Sequence, residues 1–302
     1  MYNDKSIWAA IIERTISEIA DSEQTVKNIG NYAFAMCTEL ETASFPAALT
    51  IGDYAFSGCS ILTAINSPSV SAIGAGAFLE CSLLSEANFP ETTVINSSAF
   101  RNCGALMSVN MPKVTDIKSR AFTNCPFVSA SFPSVTGLGN YAFANCQYLT
   151  DTYFPVLNTI GDGAFWSCYS LVDIDLPNVT GIGRGAFSQC YHLKNVSIPK
   201  ATRISMYAFM QCSEIEQLSF PAATYIDRIA FSSCVRLKSL YLLGSSVCAL
   251  AYLDVFSSTP IGGYSNIAGQ FGSIYVPASL ISCYQSSRYW SYFSSRFVAY
   301  NG

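Results

Sequence analysis

A phenylalanine recurs along most of this chain at an almost constant interval. Ten such residues lie 22 residues apart, with a single interval of 21: Phe34, Phe56, Phe78, Phe100, Phe122, Phe143, Phe165, Phe187, Phe209 and Phe231. Each follows an alanine and precedes a cysteine by three residues, as in Ala55, Phe56 and Cys59. One such unit cannot bury its own apolar face, so a period kept this long predicts a solenoid of stacked coils.

The first half of each unit has the spacing of a short helix. In the second unit Ala55, Phe56, Cys59 and Leu62 lie on one face of about two helical turns. Small polar residues such as Asp53 stand just before them, where a capping side chain is useful. This half is therefore expected to form short helical turns or irregular structure.

The second half of each unit has the alternation of a strand. In the first unit Ala43 and Phe45 are expected to point inward, and Thr42 and Ser44 outward. A proline such as Pro46 follows in nine of the ten units and ends the strand, because it cannot donate to a ladder. A turn and a second extended segment then lead to the next Ile–Gly pair.

Two units depart from the pattern. The fifth unit is one residue short, and the strand alternation places the missing residue between Cys125 and Ser129. The second unit has Ser67 where the other units have a large apolar residue. We expect a local kink at the first position and a weak point in packing at the second.

The repeat resembles the BspA-type leucine-rich repeat, whose consensus is I-G-x-x-A-F-x-x-C-x-x-L-x-x-I-x-I-P. The resemblance covers residues 29–243, although the family unit is commonly one residue longer, and residues 257–261, 274–280 and 289–291 are similar to the closing segment of relatives. It implies a leucine-rich repeat solenoid with parallel strands on the concave face, in a bacterial or phage-encoded, surface-associated binding protein without enzymatic activity.

The sequence divides into three regions. Residues 1–28 are expected to form an N-terminal cap, with an amphipathic helix over residues 5–20, and residues 29–243 the solenoid. Residues 244–302 lose the period, stay rich in tyrosine and serine, and are expected to form an aromatic C-terminal cap.

Composition excludes several classes of function. The 16 lysines and arginines form no run or stripe, which argues against a nucleic-acid-binding surface. No apolar run reaches the roughly 18 residues of a membrane-spanning helix, and the N-terminus lacks the apolar segment of a secretory signal. We expect no cofactor, and a monomer or weak oligomer.

The cysteines and the single histidine do not suggest a metal site or an enzyme. Ten of the 12 cysteines occupy one position of the repeat and are expected to be reduced and buried, since zinc sites need closely spaced ligands. The pairing of Cys248 with Cys283 stays open. His192 lies at a variable position and is expected to be exposed, and no hydrolase, metalloprotease or Walker motif occurs.

Outward strand residues are the first candidates for ligand binding. The candidates are Asp151, Tyr153, Asp173, Asp175, Asn195 and Glu86. The four aspartate and tyrosine residues of the sixth and seventh units are expected to form an acidic and aromatic patch, with carboxylates about 5–8 Å apart. That spacing suits Ca²⁺ or a polar glycan, but a solvated sheet face with no ligand accounts for the same residues.

The aromatic tail supplies a second candidate surface. Tyr289, Trp290 and Tyr292 are side chains of the kind that dominates interfaces, although they equally serve to seal the open end of a solenoid. The sequence thus favours recognition of a protein or glycan through the concave face at a cell or virion surface. The alternative is a structural component of a phage tail or another assembly.

Overall fold

Each repeat forms one coil that contains a three-residue strand, a turn at the proline, a two-residue strand and a run of turns. The computed structural model describes residues 17–263 and 271–301. The chain divides into two compact units, Met1–Cys146 and Gln147–Gly302.

The first unit contains strands β1 to β12, paired in parallel with equivalent strands of neighbouring coils. The longer strands are β1 (Glu18–Ala20), β3 (Thr42–Ser44), β5 (Ala64–Asn66), β7 (Glu86–Asn88), β9 (Ser108–Asn110) and β11 (Ser129–Ser131). The two-residue strands are β2 (Asn28–Ile29), β4 (Thr50–Ile51), β6 (Ala72–Ile73), β8 (Val94–Ile95), β10 (Asp116–Ile117) and β12 (Gly137–Leu138).

The second unit contains strands β13 to β24, and its pairing is also parallel. The longer strands are β13 (Asp151–Tyr153), β15 (Asp173–Asp175), β17 (Asn195–Ser197), β19 (Gln217–Ser219), β21 (Ser239–Tyr241), β23 (Ser273–Pro277) and β24 (Phe297–Tyr300). The two-residue strands are β14 (Thr159–Ile160), β16 (Gly181–Ile182), β18 (Arg203–Ile204), β20 (Tyr225–Ile226) and β22 (Ala249–Leu250).

The strand alternation confirms the expected inward and outward positions. Ala43 and Phe45 are buried, whereas Thr42 and Ser44 are half-exposed. The second extended segment is also present as the two-residue strands. Parallel leucine-rich coils therefore account for both units, as the sequence predicted.

The sequence left helical turns or irregular structure open for the first half of each coil, and the structure has turns without a helix there. Between residues 17 and 252 the structure has turns but no helix, because the residues two before and two after each repeat phenylalanine have positive φ. Around Phe56 these are Tyr54 at 55° and Gly58 at 73°. A left-handed residue interrupts the run of right-handed residues that a helix requires.

These left-handed residues direct every second backbone N–H group toward the next coil. The N–H groups of Tyr54, Phe56 and Gly58 donate to carbonyl oxygens of the following coil at 2.8, 2.8 and 2.7 Å. The residues between them donate within the coil, as Ser57 does to Tyr54 at 3.1 Å. A helix would use its N–H groups internally, so the turns supply a further hydrogen-bonded ladder that joins the coils.

The predicted helix caps have a different role. The Oδ1 atom of Asn31 accepts a hydrogen bond from the N–H of Asp53 at 2.8 Å, and the Oδ1 atom of Asp53 accepts one from the N–H of Ala75 at 2.7 Å. Each polar residue thus binds the backbone one coil further on. Gly74, the residue before Ala75, lies close to the same neighbouring backbone, and a Cβ atom on it would lie 2.4 Å from the N atom of Asp53. This close approach between coils requires glycine.

The N-terminal prediction fails where it can be compared with the structure. Residues 1–16, which contain most of the expected amphipathic helix, lie outside the described residues. Residues 18–20, its predicted end, form strand β1, which pairs in parallel with β3. The alternation around the buried Ile19 suits a strand as well as a helix end, and pairing with the first repeat coil decides between them.

Stacked phenylalanine rings fill the core. The Phe56 and Phe78 rings have centroids 5.4 Å apart and planes 1° apart, and the Phe165 and Phe187 rings have centroids 5.5 Å apart and planes 4° apart. These four side chains are fully buried. The ladder buries the largest side chains of the repeat without any long-range folding of the chain, because each ring packs on its neighbours one coil away.

The fifth coil accommodates its missing residue by substituting a ring for the leucine. Phe127, two residues after Cys125, is buried and packs edge-on against Phe122 with centroids 5.1 Å apart. Val128, at the usual leucine position three residues after the cysteine, is instead 55% exposed. The deletion therefore lies between Cys125 and Phe127, inside the interval that the sequence predicts.

The second coil buries a polar side chain at Ser67. The side chain is buried, and its Oγ atom has no hydrogen-bond partner among the described residues. A buried hydroxyl without a partner costs free energy, which agrees with the expected weak point.

The C-terminal region continues the ladders beyond the last recognisable repeat. The Phe256 ring stacks on Phe231 with centroids 5.7 Å apart and planes at 16°. Strand β22 pairs with β20, and β23 pairs with both β21 and β24. Phe256 lies 25 residues after Phe231, so the change of spacing hides an eleventh coil from a search for the 22-residue period.

A short helix and two aromatic side chains close this end. Helix α1 spans Ile281–Ser286, and 3₁₀ turns cover Leu253–Phe256, Ala278–Leu280 and Trp290–Arg296. Trp290 Nε1 donates a hydrogen bond to the carbonyl oxygen of Cys248 at 2.6 Å. The N–H of Cys248 donates to the Tyr284 hydroxyl at 2.9 Å. Both aromatic side chains are buried and seal the last coils.

Candidate functional site

A groove lies on the outward face of the longer strands in the second unit. Its volume is about 500 Å³, within the range of small-ligand sites. Strands β15, β17, β19 and β21 supply its floor, and β24 supplies one residue of its wall. The polar and aromatic lining residues that matter most are Asp173, Asp175, Asn195, Gln217, Tyr241 and Tyr300.

The strand register places these side chains in two columns. In the first column Asp175 is the partner of Ser197, and Ser219 is the partner of Tyr241. The second column contains the residues two positions earlier in each strand: Asp173, Asn195, Gln217 and Ser239. Because side chains two apart share one face of a strand, β15, β17 and β19 each contribute both column residues to the groove, and β21 contributes Tyr241.

Two carboxylates lie at one end of the groove. Asn195 Nδ2 donates to Asp173 Oδ1 at 2.6 Å, and both Asp173 and Asp175 are exposed. Within residues 17–263 and 271–301, no ion pair involves either aspartate. This end of the groove therefore has a negative charge that the described chain does not neutralise.

A tyrosine wall lies at the other end. The Tyr241 ring stacks on Tyr275, with centroids 4.5 Å apart and planes 10° apart. Tyr300 meets Tyr241 edge-on at 6.2 Å and is 41% exposed. Tyr241 lines the groove and Tyr275 does not, so Tyr275 supports the first ring from behind.

Lys194 also lines the groove, but its charge is engaged elsewhere. Its Nζ atom lies 3.1 Å from Glu214 Oε2, and His192 Nδ1 lies 2.9 Å from Glu214 Oε1. Hydrogen bonds from His192, and then from Lys194, lower the pKa of Glu214. His192 is exposed, as the sequence predicted.

The structure divides the predicted acidic and aromatic patch. Asp173, Asp175 and Asn195 line the groove, whereas Asp151 and Tyr153 are exposed on β13 and do not line it. Glu86, on β7, belongs to the first unit and does not line the groove either. The binding surface suggested by the structure is thus shifted toward the C-terminal coils.

A calcium site in the patch has no support from the geometry. Among the described residues, no group of three or more aspartate, glutamate, histidine or cysteine side chains is placed to hold a metal ion. One of the two groove carboxylates already accepts a hydrogen bond from an asparagine amide.

The aromatic surface predicted in the tail needs correction. Trp290 is 1% exposed and bonded to the backbone of Cys248, so no ligand can reach it. Tyr289 is half-buried and packs edge-on against Tyr252, with centroids 5.3 Å apart. Only Tyr292, at 74% exposure, is freely accessible. Sealing the end of the coils is the role that the packing of Trp290 supports.

Sequence reasoning missed the tyrosine wall. Tyr241 belongs to an outward column, but Tyr275 lies 34 residues later and Tyr300 another 25, so the period cannot place them. The alternation of Ile274, Tyr275 and Val276 is a signal for a strand with an outward tyrosine. Its register against β21, however, comes only from the structure.

The repeat cysteines form a buried ladder away from this groove. No disulfide joins any of the cysteines, all of which lie in the described residues. Cys59 Sγ donates to the carbonyl oxygen of Phe34 at 3.0 Å, and Cys190 Sγ to that of Phe165 at 3.2 Å. Burial raises the pKa of Cys59 and of Cys103 to about 12. These thiols are structural.

Cys248 and Cys283 do not pair. Cys248 is buried and Cys283 is exposed.

No helix in the described ranges is long and apolar enough to cross a membrane.

Comparisons with known proteins agree with this architecture. A structure of a leucine-rich repeat protein from Bacteroides ovatus is 20% identical, with a TM-score of 0.59, and the match covers 95% of this chain and 85% of that one. A leucine rich cell surface protein from Faecalibacterium prausnitzii is 24% identical, with a TM-score of 0.53 and coverage of 94% and 82%. At these identities the likeness shows the fold. No curated protein matches the chain.

The family model for the BspA type leucine rich repeat region matches residues 13–129 and 115–238, with six copies. These ranges cover well over half of the 302 residues. Proteins with such repeats are typically interaction or surface proteins and are generally not enzymes. The chain belongs to the BspA-type leucine-rich repeat family.

Proposed function

We propose that this protein is a non-enzymatic recognition module that binds a protein or glycan ligand through the outward face of its longer strands. The observation that carries the proposal is the groove, where two carboxylates and a tyrosine wall face each other across β15 to β21. Residues conserved between coils are buried in the ladders, so the outward side chains are free to differ and to confer specificity.

Adhesion at a cell or virion surface is the setting that the family suggests. The Faecalibacterium protein that shares the fold is described as a cell surface protein. An extended face built from many short strands offers several contacts to a large ligand, and electrostatic complementarity then selects among ligands.

The test is a binding screen on arrays of bacterial, host and mucosal proteins and of glycans, with and without Ca²⁺. The wild-type protein is compared with a groove variant that carries Asp173→Asn, Asp175→Asn and Tyr241→Ala. All three side chains are exposed or half-exposed, so the variant is expected to fold. A ligand of the groove should bind this variant at least about tenfold more weakly, which corresponds to ~1.4 kcal/mol.

The matched control is Glu86→Gln, which removes an outward charge from β7 in the first unit. It should leave binding unchanged. Equal binding by the wild type and the groove variant for every ligand on the arrays would contradict the proposed site.

A further inference from the structure

The protein holds two of its own arginines in a recurring arrangement. The Arg203 guanidinium lies over the Tyr225 ring at 4.3 Å from the centroid, and its Nη2 atom lies 3.1 Å from Asp227 Oδ2. The tyrosine and the aspartate both come from the next coil, two residues apart. Arg203 is the register partner of Tyr225, so the arginine fills the position beside the ring.

The next coil repeats the arrangement. The Arg228 guanidinium lies 5.0 Å from the Tyr252 ring centroid and donates to Asp254 Oδ2 from Nη2 at 2.7 Å and from Nε at 3.0 Å. These contacts raise the pKa of Arg228, with the hydrogen bond to Asp254 as the main cause. In both coils an aromatic face and a carboxylate bind one guanidinium group.

The groove also has an aromatic face and carboxylates, Tyr241 on β21 and Asp173 and Asp175 on β15, and no arginine is among its described lining residues. Tyr241 stacks on Tyr275 with one face, so its other face is turned toward Ser219, its register partner on β19. Serine is too short to cover a tyrosine ring. The position that Arg203 occupies beside Tyr225 is therefore open beside Tyr241.

The carboxylates of the groove lie within reach of the same ligand. Asp175 and Ser219 are separated by two strand intervals of about 4.8 Å, or about 10 Å in all. Residues two apart in an extended peptide project to the same side and lie about 7 Å apart. The difference between these two distances is within the reach of the long, flexible side chains of two arginines at that spacing.

We propose that the groove recognises a dibasic segment of a protein ligand. One guanidinium stacks on the open face of Tyr241 above Ser219, and a second basic side chain pairs with Asp173 and Asp175. This inference rests on the proposed function and names the ligand chemistry of the same site.

Charge separates this ligand from the alternatives. An anionic glycan would meet two carboxylates, while Lys194 is already paired with Glu214. A neutral sugar would stack on Tyr241, but it would leave the negative charge of Asp173 and Asp175 without a counterion. A dibasic peptide satisfies both ends of the groove.

The experiment is a calorimetric titration of the full chain with acetyl-Arg-Ala-Arg-amide. The control ligand is the same peptide with citrulline in place of arginine, which keeps the shape and removes the charge. The dissociation constant for the arginine peptide should rise at least about tenfold in Asp173→Asn/Asp175→Asn and severalfold in Tyr241→Ala. It should also rise with salt, because the pairs are exposed. Glu86→Gln should bind like the wild type.

Three results would overturn the inference. They are absence of binding at millimolar peptide, equal binding of the citrulline peptide, and equal weakening by Glu86→Gln. A parallel titration with chitotriose and cellotriose distinguishes this failure from failure of the proposed function. If a sugar binds and Tyr241→Ala weakens it while the arginine peptide does not bind, the dibasic ligand is wrong but the groove remains a recognition site.

Discussion

At the residue scale, the repeat cysteine shows why a polarisable small side chain suits a buried ladder. The site is buried, and it places a donor within reach of a carbonyl oxygen of the preceding coil, as for Cys212 Sγ and Phe187 at 3.1 Å. Serine would supply a stronger donor but would lose apolar burial. Cysteine supplies both properties in part, and burial keeps the thiol protonated.

This burial predicts the pattern of thiol reactivity. At pH 8, one of the 12 cysteines, the exposed Cys283, should react with Ellman's reagent in the native protein. The pKa of Cys234 and of Cys248 is raised to about 12 by burial, so these thiols present almost no nucleophilic thiolate. The measurement is the released thionitrobenzoate per chain.

Addition of guanidinium chloride should make all the thiols reactive. Cys283→Ser is the matched control, and it should abolish the native reaction. Rapid native labelling of several thiols in that variant would show that the cysteine ladder is open to solvent.

At the element scale, the stacked phenylalanines are the main apolar contribution of each coil. Phe187 is fully buried, with ring centroids 5.5 Å from Phe165 and 5.3 Å from Phe209. Truncation of such a ring removes the contacts on both of its faces and leaves a cavity that the hydrogen-bonded coils cannot close.

Phe187→Ala is therefore expected to lower the free energy of unfolding by about 3–5 kcal/mol. Chemical denaturation followed by circular dichroism measures this loss. Phe187→Leu, which keeps most of the volume, should cost clearly less. Equal costs for the two variants would contradict the cavity argument and would mean that the loss comes from the aromatic ring itself.

The repeat strands could be predicted from the sequence, whereas for the first half of each coil it left helical turns and irregular structure open. An alternation of inward and outward residues that ends at a proline indicates a strand. In contrast, the spacing of Ala55, Phe56, Cys59 and Leu62 suits a helix face as well as a series of turns. The residue two after the phenylalanine does indicate a turn, because glycine and asparagine, as at Gly58 and Asn102, tolerate positive φ.

At the scale of the whole molecule, part of the candidate site followed from the repeat. Asp173, Asp175 and Asn195 were predictable because a 22-residue period aligns outward side chains in columns. The tyrosine wall was not, since Tyr275 reaches its place through a longer connection whose register depends on packing. The segment that departs from the 22-residue spacing supplies Tyr275 and Tyr300, and these residues complete the tyrosine wall.

Ladders of equivalent side chains hold the coils together, so the repeat residues are scaffold. In a stack of this kind, stability comes from each coil and its contacts with the two adjacent coils. Removal of one complete coil therefore keeps all ladders in register, whereas removal of half a coil displaces every later ladder residue.

Differential scanning calorimetry of two deletion variants tests this claim most directly. One lacks residues 74–95, a complete 22-residue coil, and the other lacks residues 74–84, half of it. The complete-coil deletion should retain a cooperative unfolding transition at a somewhat lower temperature, and the half-coil deletion should show none. Equal loss of the transition in both variants would contradict the stacking of interchangeable coils.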